Sequence, residues 1–267
     1  MLRSVGILVC FGAFGIDSVA QAQVGGWVSA NGTFYLPAPA HMFQRVVFPF
    51  HPGDPQYRQG NAQHNFRYTL KGKPSFDIGG GIRFDHLGVG IAMTRYSDNE
   101  IAAISVLVPA PIAAVSNEAG ALADTQDSLR HEEAMLHVDV RYIWNPRHAS
   151  VAAFVGPSYF TWTQETITDV GLRETVSPVL RQYSISIVDY DTRTLRVRKW
   201  GYNFGVDVSY HFSEKVGVGA IARFAAADAS DAGLETLRGV ERTGVAQQPQ
   251  PLTIGGLYVG AGIRFRL

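Results

Sequence analysis

The chain has one cysteine, no net charge, and no apolar run approaching the roughly 20 residues of a membrane helix. Each shortage excludes something. With 23 Lys and Arg against 23 Asp and Glu, there is no cationic surplus for phosphate contacts, so nucleic acid is not an expected partner. Without a continuous apolar stretch, a bundle of membrane helices is excluded. A lone cysteine cannot build a disulfide framework, which leaves packing and backbone hydrogen bonds to hold the fold. The eight histidines are scattered, with no cysteine partners and no ligand spacing, so neither a metal nor any other cofactor is expected. His41 and His51 do share a stretch with Asp54, which reads as solvated loop. What remains is a chain 46% hydrophobic and only 17% charged, too apolar for disorder.

The N-terminus combines Arg3, an apolar stretch from Val5 to Ile16 and the small-residue site Ala20-Gln21-Ala22. That is the form of a secretory signal peptide spanning residues 1–22, cleaved between Ala22 and Gln23. Residues 23–267 then form one domain. Cys10 falls in the discarded segment; the alternative, lipidation of Cys10, is disfavoured by the bulky Val9 before it. Removing Arg3 and Asp17 leaves the charge balance at zero.

The positive signal is alternation with a period of two, which sends successive side chains to opposite faces of a strand. Tyr202, Phe204, Val206, Val208, Tyr210 and Phe212 oppose Asn203, Gly205, Asp207, Ser209 and His211. Leu136, Val138, Val140, Tyr142 and Trp144 likewise oppose His137, Asp139 and Arg141. The pattern recurs over 76–84, 87–94 and 257–267, and more weakly near 27–36, 149–163 and 216–224. About eight strands without a helical period predict an all-β, all-antiparallel protein rather than a βαβ fold.

The connections alternate in length. Asp85-His86, 145–148 and 213–215 are short, whereas 37–61, 97–130, 164–193 and 225–251 are long. In an up-and-down sheet this places every short turn and both termini at one end, the asymmetry of outer-membrane barrels with short periplasmic turns and long extracellular loops. Alternation alone does not say whether the apolar parity faces a buried core, as in a sandwich, or lipid. Three features favour lipid. Aromatics end the apolar parity beside the short turns, giving a periplasmic girdle of Phe84, Trp144, Phe212 and Phe265. The polar parity is rich in glycine, as a narrow interior requires. The chain also closes on a strand with an apolar last residue.

With this signal segment and these strands, together with Gly79-Gly80-Gly81-Ile82-Arg83-Phe84, Val216-Gly217-Val218-Gly219 and the closing Gly260-Ala261-Gly262-Ile263-Arg264-Phe265-Arg266-Leu267, the chain resembles the small bacterial outer-membrane β-barrels, a group that includes outer membrane proteins A, X and W. The resemblance implies an up-and-down transmembrane β-barrel of about eight strands, surrounded by outer-membrane lipid and lipopolysaccharide and assembled through its C-terminal strand by the barrel assembly machinery. It also implies a monomer. The last residue in such proteins is typically aromatic; here it is Leu267, with Phe265 on the same face.

In a barrel of this size the interior is only wide enough to be filled by side chains, so the inward charges must meet. Asp77, Arg83, Asp139, Arg141, Asp207, Arg223 and Arg264 are therefore expected to form a paired network across the lumen, since each would be costly alone. The network reads as a structural plug or, alternatively, as a narrow ion path. Arg196, Arg198 and Lys199, just before Trp200, are candidates for lipopolysaccharide phosphate contact, weighed against a simple hydrated strand extension. His131, Glu132 and Glu133 lie at the end where surface chemistry would occur, but read as a solvated loop-to-strand junction. Ser209 and His211 share a face at the opposite end. Glycine repeats such as Gly88-Val89-Gly90 are followed by no helix and hold no phosphate. Asn31-Gly32-Thr33 matches a glycosylation sequon but falls in a strand. The expectation is a non-enzymatic envelope protein, with a small channel or a rim-located lipid-modifying enzyme as alternatives.

Overall fold

In the computed structural model the described residues are 24–38, 41–50, 60–109, 121–146, 148–177, 179, 182–229 and 253–267, with backbone alone for 41–50, 60, 61 and 176. The expected signal segment and its cleavage point lie outside them. The strands are β1 (Val24–Pro37), β2 (His41–Phe50), β3 (Gly60–Thr69), β4 (Lys73–Phe84), β5 (Leu87–Val108), β6 (Ala121–Trp144), β7 (Ala149–Ser177), β8 (Gln182–His211), β9 (Val216–Asp228) and β10 (Thr253–Arg266). Every pairing is antiparallel. β1 pairs with β4 on one side and β10 on the other, and β5 pairs with β6, so eight strands close into a ring while β2 and β3 stand outside it. Closure removes the sheet edges, whose unpaired amides would be untenable in hydrocarbon.

The short turns hold the expected end together. Phe84 pairs with Leu87 across Asp85-His86, and Asp85 takes a positive φ of 55°, a conformation that aspartate tolerates in a two-residue hairpin. The Ile143 amide donates to the His86 carbonyl at 2.6 Å, tying this turn to the end of β6.

The parity of every recognised strand points as its alternation predicts. Leu87, Val89, Ile91 and Met93 are exposed, as are Phe204, Val206 and Val208, whereas Asp77, Asp139, Asn203 and Asp207 are buried. The apolar parity covers the outside of the ring. The four girdle aromatics Phe84, Trp144, Phe212 and Phe265 are all exposed at the short-turn end.

Farther up the strands the same parity stays inside, but its chemistry reverses. On β8 the outward residues change from Tyr202 and Trp200 to Arg198 and Arg196, while the inward ones change from Asp207 and Asn203 to Val197 and Leu195. On β6 the outward residues change from Leu136 to Glu132 and Arg130, and on β5 from Met93 to Arg95 and Ser97. Arg95, Ala134, Thr161 and Arg198 are successive cross-strand partners, so the change falls close to one row of the sheet. Below that row the exterior is apolar over 134–144 on β6 and 200–212 on β8, close to the roughly 9–11 residues a tilted strand needs to span a bilayer. Above it the strands follow the ordinary water-soluble rule, polar outside and apolar inside.

This upper region corrects the expectation of long loops over 97–130 and 164–193. There the β5–β6 ribbon continues to Val108 and Ala121, and the β7–β8 ribbon to Ser177 and Gln182. Within 37–61, β2 begins a hairpin whose second strand, β3, pairs with the upper part of β5. Phe66, Tyr68, Ala102, Ile104, Val106, Leu129, Ile167, Val170, Tyr183 and Ile185 share one apolar cluster, so the hairpin and both ribbons enclose a core of their own. The Ile167 amide donates to the Tyr68 hydroxyl at 3.1 Å, and burial pushes the Tyr68 pKa up to about 12 against that bond. Part of the 225–251 connection is β9, which runs to Asp228; its remainder from 230 lies outside the described residues.

β3 and β4 run along β5 in the same direction, but the register between them shifts by one residue: Thr69 faces Ile101, whereas Phe76 faces Arg95. The inward residues are therefore even-numbered in β3 and odd-numbered in β4. A one-residue slip exchanges the faces of a strand, which is why the alternation of 76–84 does not extend upstream.

Candidate functional site

The lumen of the ring is filled from its short-turn half upward by a network of charged and polar side chains. Arg223, only 1% exposed, points from β9 across the barrel: its Nη2 lies 3.2 Å from Asp139 Oδ2 and its Nε 3.5 Å from Asp77 Oδ2. Arg141 Nη2 donates to the same Asp139 oxygen at 3.1 Å. Arg264 Nε donates to Asp207 at 3.1 Å, and Arg141 Nη1 approaches the other Asp207 oxygen at 3.7 Å. Three arginines thus meet three aspartates, all buried, and the charges of this group cancel. That cancellation is what makes burial tolerable, because an unpaired charge in a dry lumen would cost several kcal/mol.

Neutral side chains fix the geometry. Asn31 donates to Asp77 at 2.9 Å and accepts from Arg264, so it joins the two halves of the network. Thr94 donates to Asp77 at 2.9 Å and lies 3.1 Å from His137 Nε2, while His137 Nδ1 is 2.7 Å from Ser158 Oγ. Asn203 donates to Ser158 at 2.9 Å and accepts from Arg223 at 3.1 Å. The guanidinium of Arg141 sits between Trp27 and Phe154, 4.9 and 5.0 Å from their ring centres. Space for the indole comes from paired glycines: a Cβ at Gly81 or Gly90 would lie 2.4 or 2.6 Å from Trp27 ring atoms. The glycine of the inward parity is therefore a packing requirement.

Of the seven residues expected in the network, the structure joins Asp77, Asp139, Arg141, Asp207, Arg223 and Arg264. Arg83 is the exception, lying at the short-turn mouth with no carboxylate in ion-pairing range among the described residues. Asn31, which the sequence marks only as part of a sequon in a strand, is central; its place on the polar parity of β1 is the signal that points inward. Arg196 and Arg198 are exposed on the outer wall just above the apolar belt, whereas Lys199 falls on the inward parity and is half-buried.

A second cluster lies above the network and revises the reading of residues 131–133. His131 and Glu133 are buried, and only Glu132 reaches the surface, where it pairs with Arg95 at 2.7 Å and Arg130 at 3.0 Å. His131 Nδ1 lies 2.6 Å from Gln164 Oε1 and Nε2 lies 3.0 Å from Glu133 Oε1. Two acceptors call for two ring donors, hence an imidazolium. Burial alone would lower the His131 pKa, but the hydrogen bond and charge of Glu133, with Gln164 and Glu100, outweigh it and the net shift is upward. Tyr35, Tyr96, Tyr258, Phe160 and Trp162 pack around this pair. The Tyr35 hydroxyl lies 2.9 Å from both Glu133 and the Gly255 carbonyl. Ser209 and His211 are both buried near the short-turn end. Among the described residues no group of three or more His, Cys, Asp or Glu is placed to hold a metal ion.

No family model matches the chain, and no curated protein does. Among solved structures the chain is similar to the outer membrane protein OprG of Pseudomonas aeruginosa, at 7% identity over 92% of this chain and 97% of that one, with a TM-score of 0.45. It is also similar to Ail, the attachment invasion locus protein of Yersinia pestis, in complex with the heparin analogue sucrose octasulfate, at 11% identity over 90% and 99% of the two chains, TM-score 0.35. Closure of the ring and an exterior that is apolar only across a bilayer-sized band decide the architecture independently of these likenesses. The fold is that of an eight-stranded outer-membrane β-barrel. In this barrel the charged network fills the membrane-spanning lumen, and the aromatic cluster and upper core lie above it.

Proposed function

We propose that the protein is an integral, monomeric outer-membrane β-barrel with a closed lumen and no enzymatic activity, which holds a rigid folded head at the cell surface. The observation that carries this reading is the vertical order of the interior: a neutral salt-bridged plug, then the Tyr35–Glu133–His131 cluster, then the apolar upper core. Each layer is filled by side chains, as expected for an eight-stranded barrel. The outward Arg196 and Arg198 stand at the height of lipid phosphates and fit contact with lipopolysaccharide, while Lys199 on the inward parity does not. The exposed Phe265 on β10 and Leu267 just after it present the face through which the barrel assembly machinery would recognise the last strand.

Planar bilayers test the closed lumen. Purified, heat-modifiable protein should give no discrete conductance steps, and reproducible single-channel openings would establish the channel reading in its place. For the enzyme alternative, the mass spectrum of lipid A from cells with and without the protein should be identical.

A further inference from the structure

The network that seals the middle of the lumen leaves positive charge over at its short-turn mouth. Inside the belt five arginines, Arg83, Arg141, Arg223, Arg264 and Arg266, face three aspartates, Asp77, Asp139 and Asp207. The three central arginines consume the aspartates, and the remaining two, Arg83 and Arg266, stand together at the mouth without an ion pair among the described residues. There a cavity of about 60 Å³ is bordered by Arg83, Arg141, Arg264 and Arg266, with Asp207 as its one carboxylate, and by Trp27 and His211. A single water needs roughly 10–15 Å³ by this measure, so the space admits a small polyatomic group.

The polar atoms around the cavity are mostly donors left over. Arg141 Nε, His211 Nδ1, Trp27 Nε1 and Arg266 Nη2 are all buried and have no hydrogen-bond partner among the described residues. Arg141 and His211 are themselves only 4% and 6% exposed, so these are not surface side chains free to turn to solvent. Buried donors without acceptors are costly, and natural structures rarely keep several in one place. Three of the four are permanent donors and two sit on guanidinium groups; what is missing is an acceptor with negative charge and several oxygens.

We propose that the short-turn mouth of the lumen is a binding site for a small tetrahedral oxyanion of the phosphate or sulfate type, held by Arg83 and Arg266 from the rim and by Arg141 from the plug. Such an anion would accept from the orphaned donors and neutralise the surplus left by the aspartates. A guanidinium cluster suits this geometry because its forked donors match the oxygens of phosphate or sulfate. The site depends on closure of the ring and on the arrangement of the plug, not on the barrel being silent as a channel.

The test uses the full mature chain refolded in neutral detergent, titrated with inorganic phosphate, sulfate or acetate in chloride buffer and followed by calorimetry. Arg83→Gln/Arg266→Gln removes the two arginines that pair with no carboxylate, so folding is preserved and is verified by heat-modifiable migration. Arg173→Gln/Arg193→Gln removes the same charge from the exposed outer wall of the β7–β8 ribbon. Saturable binding of one phosphate or sulfate by the wild type and by the outer-wall variant, with affinity at least about tenfold weaker in the mouth variant, is the expected result. Absence of saturable binding by the wild type, equal affinity in the mouth variant, or an equal loss in both variants would overturn the site. Acetate binding as tightly as phosphate would overturn the assignment to a tetrahedral anion.

Discussion

At the scale of single residues, the lumen is a set of charges whose presence was legible and whose partners were not. Parity along β4, β6, β8, β9 and β10 identifies the inward aspartates and arginines from sequence alone. Arg223 and Asp139, however, are 84 positions apart and meet only because the ring closes. The same limit explains Arg83, which shares the parity of the network but stands at the short-turn mouth and pairs with no aspartate among the described residues. Because Arg223 is the ion-pair partner of Asp77 and shares Asp139 with Arg141, Arg223→Gln should strand the buried Asp77 carboxylate, weaken the pairing of Asp139 and lower unfolding free energy by about 3–5 kcal/mol, measured by urea titration in detergent. His131 gives a second prediction. Its pKa in the folded protein lies above the ordinary 6.5, so its bonds to Glu133 and Gln164 contribute stability in full below pH 6.5 and lose it as pH rises through the folded value. The stability gap between wild type and His131→Gln should therefore narrow on going from pH 5.5 to pH 8.5; a gap that widens would show that the histidine is neutral in the fold.

At the scale of elements, strands were legible where the two faces meet different surroundings and illegible where they do not. β8 contrasts Val206 and Val208 with Asp207 and can be read directly. The upper part of β5, Ile101 to Val108, is apolar on both parities but for Ser105, because one face packs into the upper core while Ile101 and Leu107 are partly exposed. Its alternation vanishes although its backbone continues as a regular ladder with β6. The β2–β3 hairpin was hidden differently, by the register slip before β4. Since among the described residues β3 pairs only with β2 and β5, the ring does not need it. Replacing residues 41–69 with a short Gly/Ser linker should leave a heat-modifiable barrel, while exposing Ala102, Ile104 and Val106. The upper β5–β6 ribbon should then be cut by protease at concentrations that leave the intact protein whole. Loss of the heat-dependent shift in this variant would mean that the hairpin is part of barrel closure.

At the scale of the whole molecule, an exterior that meets lipid makes the barrel respond to substitution unlike a soluble protein at positions of similar exposure. Val206 is 46% exposed near the middle of the apolar stretch of β8. In water an arginine at such a site would be nearly neutral, whereas at the bilayer midplane it costs about 2–4 kcal/mol. Val206→Arg should therefore destabilise the protein by that amount when folding is measured into phospholipid vesicles, and Arg198→Ala should not; a cost near zero at Val206 would place the apolar belt outside the membrane. The polarity change shared by β5, β6 and β8 also has a mechanical consequence. Sinking by one residue pair drags Arg95, Arg198 and their neighbours into hydrocarbon, and rising by one pair lifts Trp200 and Met93 into water while Phe212 and Trp144 leave the opposite interface. Either displacement is opposed on several strands at once, so the protein has a fixed depth and little freedom to tilt. The upper core that we propose to stand at the cell surface would thereby be held at constant height and orientation, like a post set in a collar.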